Sequence, residues 1–302
     1  MKKIIFIIPL LLITHLAFSA VPPEESAAQT DTTTGTSPTV SSEKPVTISA
    51  VKSLEWNRKE KTYTAHQDVI ATQGTTKLKS DILVAHYADT GSGSSDINTM
   101  NADGHVTIND PPYTAYGDHA VYNVKTGNAI LTGKDLKIVS DDSILTAKDR
   151  IEYNGKEDKM TAVGSPVATK GENTLTADAM SAYFTKDDAG KMAANKITSH
   201  GNVVIKTPTE TATGDDGVYD VTTQKAVLTG KVRILQDKNW LEGTRADVDM
   251  ATGISQLSGT GNTSTDGRVT GMFFPQPKDK PTGDKAANDK PAGSQKTEGQ
   301  KN

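Results

Sequence analysis

The chain has 302 residues, enough for one large β domain or two ordinary ones. Only 34% of them are hydrophobic and 5% aromatic, which excludes a thick core of large side chains and leaves a thin one of Val, Ile, Leu and Ala. A net charge of -4, from 33 basic and 37 acidic residues, is too weak and of the wrong sign for overall charge to hold nucleic acid, and the lack of cysteine removes disulfides, zinc-thiolate sites and thiol nucleophiles.

In chain order, residues 1–19 read as a secretory signal peptide. Met1-Lys2-Lys3 is the positive start, Ile4 to Phe18 the apolar run, and Ala17-Phe18-Ser19 ahead of Ala20 gives small residues for cleavage. The alternative is an uncleaved anchor, for which a run of roughly 15 residues is short. Residues 20–45 are Pro, Glu, Ser, Thr and Ala without periodicity, and residues 275–302 are rich in Lys, Pro, Asp, Gly and Asn. Neither stretch buries enough apolar area to offset its ordering entropy, so both are expected to be disordered.

The body, residues 46–274, repeats itself about six times. Val121 to Lys134 reads VYNVKTGNAILTGK and Val218 to Lys231 reads VYDVTTQKAVLTGK. Glycines close the units at Gly104, Gly133, Gly164, Gly201, Gly230 and Gly259. Tyr87, Tyr122, Tyr153, Tyr183 and Tyr219 recur midway, with Val248 in the last unit. Within a unit the period is two, as in Val106/Ile108, Leu136/Ile138, Val203/Ile205 and Val232/Ile234, which means strand. Asp118, Ala120 and Tyr122 share one strand face, as do Asp149, Ile151 and Tyr153, and Asp215, Gly217 and Tyr219. Packing and sheet register account for these Asp and Tyr positions better than a ligand does. Polar turns such as Lys125 to Asn128 and Asn154 to Lys159 follow each Tyr. No segment carries a capped helical stripe. The expected fold is therefore all-β, a stack of short strands forming a twisted sheet pair or trough with an aliphatic interior.

Catalytic and metal signals are weak. The histidines, among them His66, His86, His105, His119 and His200, form no HxH or HExxH pattern. Asp141-Asp142, Asp187-Asp188 and Asp215-Asp216 lack calcium-loop spacing and read as solvated acids, and Gly91 to Ser95 reads as a flexible loop. No GxSxG, P-loop or dinucleotide fingerprint occurs, so no catalytic residue, metal or cofactor is expected.

The body resembles the LptA/OstA family. Carrying the likeness are Ala102-Asp103-Gly104-His105-Val106-Thr107-Ile108, Tyr116-Gly117-Asp118-His119-Ala120-Val121-Tyr122 and Ala129-Ile130-Leu131-Thr132-Gly133, with copies at Ser199 to Ile205, Thr213 to Tyr219 and Ala226 to Gly230. The resemblance implies an antiparallel β-jellyroll shaped as a V-shaped trough. It implies a periplasmic, non-enzymatic protein that holds the acyl chains of lipopolysaccharide and joins LptC-like and LptD-like partners, or copies of itself, edge to edge. This body is longer than a compact member of the family. Positions expected to line the trough are Val106, Ile108, Leu136, Ile138, Leu145, Ile151, Met180, Val203, Ile205, Val232 and Ile234, for which plain core is the competing reading. A cell-surface adhesive repeat and a carbohydrate-active β-helix enzyme are the alternatives for the whole chain.

Overall fold

The computed structural model describes residues 45–89, 95–140, 142–186, 192–249, 251–252, 254–260 and 267–274. The expected signal peptide, linker and C-terminal tail lie outside these residues, as do most of Gly91 to Ser95, Asp141 and Asp187-Asp188. The described strands are β1 (Val46–Ser49), β2 (Ser53–Asn57), β3 (Thr62–Gln73), β4 (Thr76–Asp89), β5 (Ser95–Asp110), β6 (Tyr113–Asn123), β7 (Asn128–Thr132), β8 (Leu136–Val139), β9 (Ser143–Ala147) and β10 (Arg150–Asn154). They continue with β11 (Lys159–Val163), β12 (Val167–Lys170), β13 (Asn173–Thr176), β14 (Ala179–Lys186), β15 (Met192–Lys206), β16 (Glu210–Asp220), β17 (Lys225–Gln236), β18 (Asn239–Asp249), β19 (Ile254–Ser258) and β20 (Thr270–Met272). No α-helix occurs among the described residues.

Alternation produces these strands. Along β17, Ala226, Leu228, Val232 and Ile234 are buried while Lys225, Lys231, Arg233 and Leu235 are exposed. The turns are held by Asx side chains, which accept backbone hydrogens two or three residues on. Asn123 takes the amide of Thr126, Asn154 those of Lys156 and Glu157, Asp220 that of Thr223 and Asp249 that of Thr252. These bonds to the charged form hold the Asp220 and Asp249 carboxyls below their ordinary range.

Every pairing is antiparallel, and the strands form two layers that share their longest members. The first layer runs β2-β3-β4-β5-β6-β7-β10-β11-β14-β15-β16-β17-β18-β19. The second runs β1-β3-β4-β5-β6-β8-β9-β12-β13-β15-β16-β17-β18-β20. Strands β3 to β6 and β15 to β18 belong to both, because their ladders break register along one line, as between His66 and Val69, Asp103 and Val106, or Thr229 and Val232. This line of bulges is the fold of the V.

The residues at the fold line have left-handed backbones: Gln67-Asp68, Gly104-His105, Gly164-Ser165 and Gly201-Asn202, with Gly133 and Gly230. Five of the six unit-closing glycines therefore sit at the crease. A Cβ at Gly104, with φ of +79°, would lie 2.2 Å from Asp81 Oδ2, so glycine is required both for the turn and for the close approach of that carboxylate. The same Asp-against-Gly contact recurs at Asp118/Gly133, Asp149/Gly164, Asp178/Gly201 and Asp215/Gly230. Exposed ion pairs follow the crease on its outside. His119 Nδ1 is 2.6 Å from Asp103, His105 Nδ1 is 2.8 Å from Asp81, and His200 pairs with Asp216. Hydrogen bonds to Asp81 and Asp216 raise the pKa of His105 and His200.

Gly104, Asp118, Tyr122 and Gly133 correspond to Gly201, Asp215, Tyr219 and Gly230, each 97 residues later. The core divides accordingly. One cluster gathers residues from Ala65 to Ala162 and the other from Leu175 to Val248, with Leu145 packed against both.

Candidate functional site: the trough between the layers

Register places the inward side chains in unbroken rows that cross the whole sheet. In the second layer one row reads Ile48, Ala71, Leu78, Ile108, Ala115, Ile138, Leu145, Ala168, Leu175, Ile205, Ala212, Ile234, Leu241. Next to the crease, large residues face small ones: Val106 with Gly117, Leu136 with Ala147, Val203 with Gly214, Val232 with Gly243. The small partners let the layers close at the fold. In the first layer the inward row includes Leu83, Ala102, Ala120, Leu131, Ile151, Ala162 and Met180.

All eleven expected lining positions thus lie on inward faces, but they do not share one space. Ile108, Ile138 and Ile151 line a cavity of about 520 Å³ in the N-terminal half. Val106 and Leu136 are buried in the core beside it, and Leu145 is partly buried where the two cores meet. Met180, Val203, Ile205, Val232 and Ile234 belong to the C-terminal core, where none is more than 6% exposed.

Sequence reasoning missed several walls of this cavity, including Leu78, Met100, Ala115, Tyr122, Tyr153, Met160 and Phe184. From the sequence, packing accounts for Tyr122 and Tyr153. Their strand period placed them on the inner face, and that was a usable signal. Tyr183 departs from its series. Tyr153, Met160 and Ala182 align across three strands, so Tyr183 falls on the outer face, beneath Lys159 and Lys196 at 5.4 and 4.6 Å from its ring. Phe184 takes the inward place and meets Tyr113 edge to face at 6.2 Å, joining the lips of the two layers.

Polarity is graded across the cavity. The floor is aliphatic, and Gln73, Thr76, Asp110, Tyr113 and Tyr153 stand at the lip. Burial, reinforced by a 2.9 Å hydrogen bond to Asp158, pushes the Tyr153 hydroxyl up to about 12, so it remains a neutral donor at physiological pH. Burial also raises Tyr113. Such a space suits an amphiphile with its alkyl part inward. No group of three or more metal-ligating side chains occurs among the described residues.

The family model for the LptA/(LptD N-terminal domain) LPS transport protein matches twice, over residues 47–159 and 147–254. The chain belongs to this family. Its two LptA/LptD N-terminal matches agree with the internal repeat and the divided core. A relative from Rhizobium meliloti (strain 1021), itself uncharacterised, is 29% identical over 146 residues, spanning 47% of this chain and 76% of the relative. Among solved structures, LptH of Pseudomonas aeruginosa, described as the LptA homologous periplasmic component of the conserved lipopolysaccharide transport device, is 22% identical. That similarity covers 44% of this chain and 95% of LptH, with a TM-score of 0.37.

Proposed function

We propose that the protein carries lipopolysaccharide by its acyl chains through the periplasm, as a segment of a bridge toward the outer membrane. The cavity with an aliphatic floor and a polar lip is the observation that carries this reading. Each methylene moved from water onto that floor contributes about 0.8 kcal/mol, enough to retain a chain yet release it stepwise to a neighbouring site. Ile108, Ile138 and Ile151 are the direct contacts in the N-terminal half, and Met180, Val203, Ile205, Val232 and Ile234 are the corresponding floor of the C-terminal half. Val106, Leu136 and Leu145 shape the wall. No bond is made or broken in such a relay, and no cofactor is needed.

Partners would add at the ends. β1 and β2 pair on one side only, with β3, and β19 and β20 only with β18, among the described residues. Exposed Leu54 and Trp56 flank the first edge and Met272 and Phe273 the second. LptC-like and LptD-like proteins, or another copy, would extend the sheets from these edges by strand addition.

An environment-sensitive fluorophore on Ile138→Cys tests the carrier reading. Lipopolysaccharide should shift its emission to the blue, and Ala115→Trp, which fills the cavity opposite Ile138, should abolish the shift while circular dichroism stays that of a β protein. Unchanged emission on adding lipopolysaccharide removes the reading.

A further inference from the structure

We propose that an acyl chain enters the N-terminal cavity sideways, between the lips of the two layers, and that Tyr113 and Phe184 are the clasp that closes over it; this rests on the acyl-chain reading above. Tyr113 opens β6 in the second layer, and Phe184 lies near the end of β14 in the first. Both line the cavity, and their rings meet edge to face at 6.2 Å and 78°.

Each half of this closure is anchored in its own layer. Tyr113 pairs with Asp110 on β5, and Thr114 to Tyr116 pair with β8. Phe184 pairs with Ala194 on β15, and its amide donates to the Asp158 carbonyl at 2.8 Å. What joins the two at the lips is a contact of rings. Such a pair is worth a factor of about 2 to 12 in an equilibrium constant, so the parted state lies within thermal reach.

Opposite the clasp, the crease is built to bend. Strands β3 to β6 and β15 to β18 cross it as continuous strands, but between them the chain crosses by the short links 133–135, 148–149, 164–166 and 177–178. Links of this kind absorb changes in φ and ψ that a strand paired on both sides resists, which is what a hinge requires. Ile138, Ile151, Tyr153, Met160 and Phe184 stand on β8, β10, β11 and β14, strands that these links join. The wall of the cavity is therefore the hinged part of the sheet.

The chain has no cysteine, so Tyr113→Cys/Phe184→Cys places two unique thiols at the lips. With these joined by a short bis-methanethiosulfonate linker, the full chain is mixed with cis-parinaric acid below its micelle concentration. Stopped-flow fluorescence reads entry, and competition with excess palmitate reads exit. The link should slow both by about tenfold or more, and cleaving it with dithiothreitol should restore both. Phe184→Leu, which keeps an apolar wall without the ring, should speed entry by about 2- to 12-fold. Entry that the link leaves unchanged overturns the clasp and leaves the acyl-chain reading intact, because the chain then comes in by an open end of the trough. A change confined to exit also overturns it, since that marks the pair as part of the seat. No uptake by the linked, cleaved or wild-type protein removes the acyl-chain reading and the clasp together.

Discussion

Glu210, which opens β16, is only 5% exposed and has a buried, unpartnered Oε2, so it leaves a signature in stability. Its folded pKa is raised, so the folded state holds this proton more tightly than the unfolded chain does. The stabilisation is complete below the unfolded carboxylate pKa and is lost as pH rises through the folded one. Glu210→Gln should therefore raise the melting temperature at neutral pH, by about 2–4 °C for each kcal/mol recovered, and give no gain in acid. Melting curves from pH 4 to 8 check this, and a gain of equal size at both ends would contradict the sign. Nothing in the sequence marked Glu210, because an acid at the start of a strand reads as solvated. Tyr183 misled for a related reason: counting from one Tyr to the next carries the phase only while no residue is gained or lost between them, and here the inward place moved to Phe184.

At the scale of the strand, the crease is what turns a flat sheet into a trough. Gly104→Ala combines a left-handed backbone with a Cβ 2.2 Å from the Asp81 carboxylate, whereas Gly171→Ala, at φ of +55°, meets nothing within 4 Å. The first should cost about 1–3 kcal/mol, and the second only its backbone strain of about 1 kcal/mol. Urea unfolding of the two variants separates crowding from strain, and equal losses would mean that the Asp contact is loose. Strand identity was legible from period two, and the turns from their Asn, Asp and Gly residues. That one long strand serves two layers was not, because a bulge shifts register by a residue or two and leaves the hydrophobic pattern nearly intact on either side, as around Gly104 and Gly201.

Over the whole molecule, the sheets are continuous but the cores are two. Leu136, 1% exposed in the N-terminal cluster, should cost about 2–5 kcal/mol when cut to Ala, and hydrogen exchange should quicken first in β5 to β11 while β16 to β18 stay protected. Uniform acceleration would show that both clusters open as one unit. The pair of near-identical segments at Val121 and Val218 revealed duplication. The cavity of the N-terminal half depends on which side chains close over which, and no period announces that. The ion pairs along the crease bear on how the halves diverged. Asp103 faces His119, and 97 residues on His200 faces Asp216, so donor and acceptor have traded strands. Such a trade passes through a stage without the His–Asp pair, and on an outer surface the loss of an exposed pair costs little. The spine is thus the part of this molecule where inheritance can wander, while the furrow behind it keeps its shape.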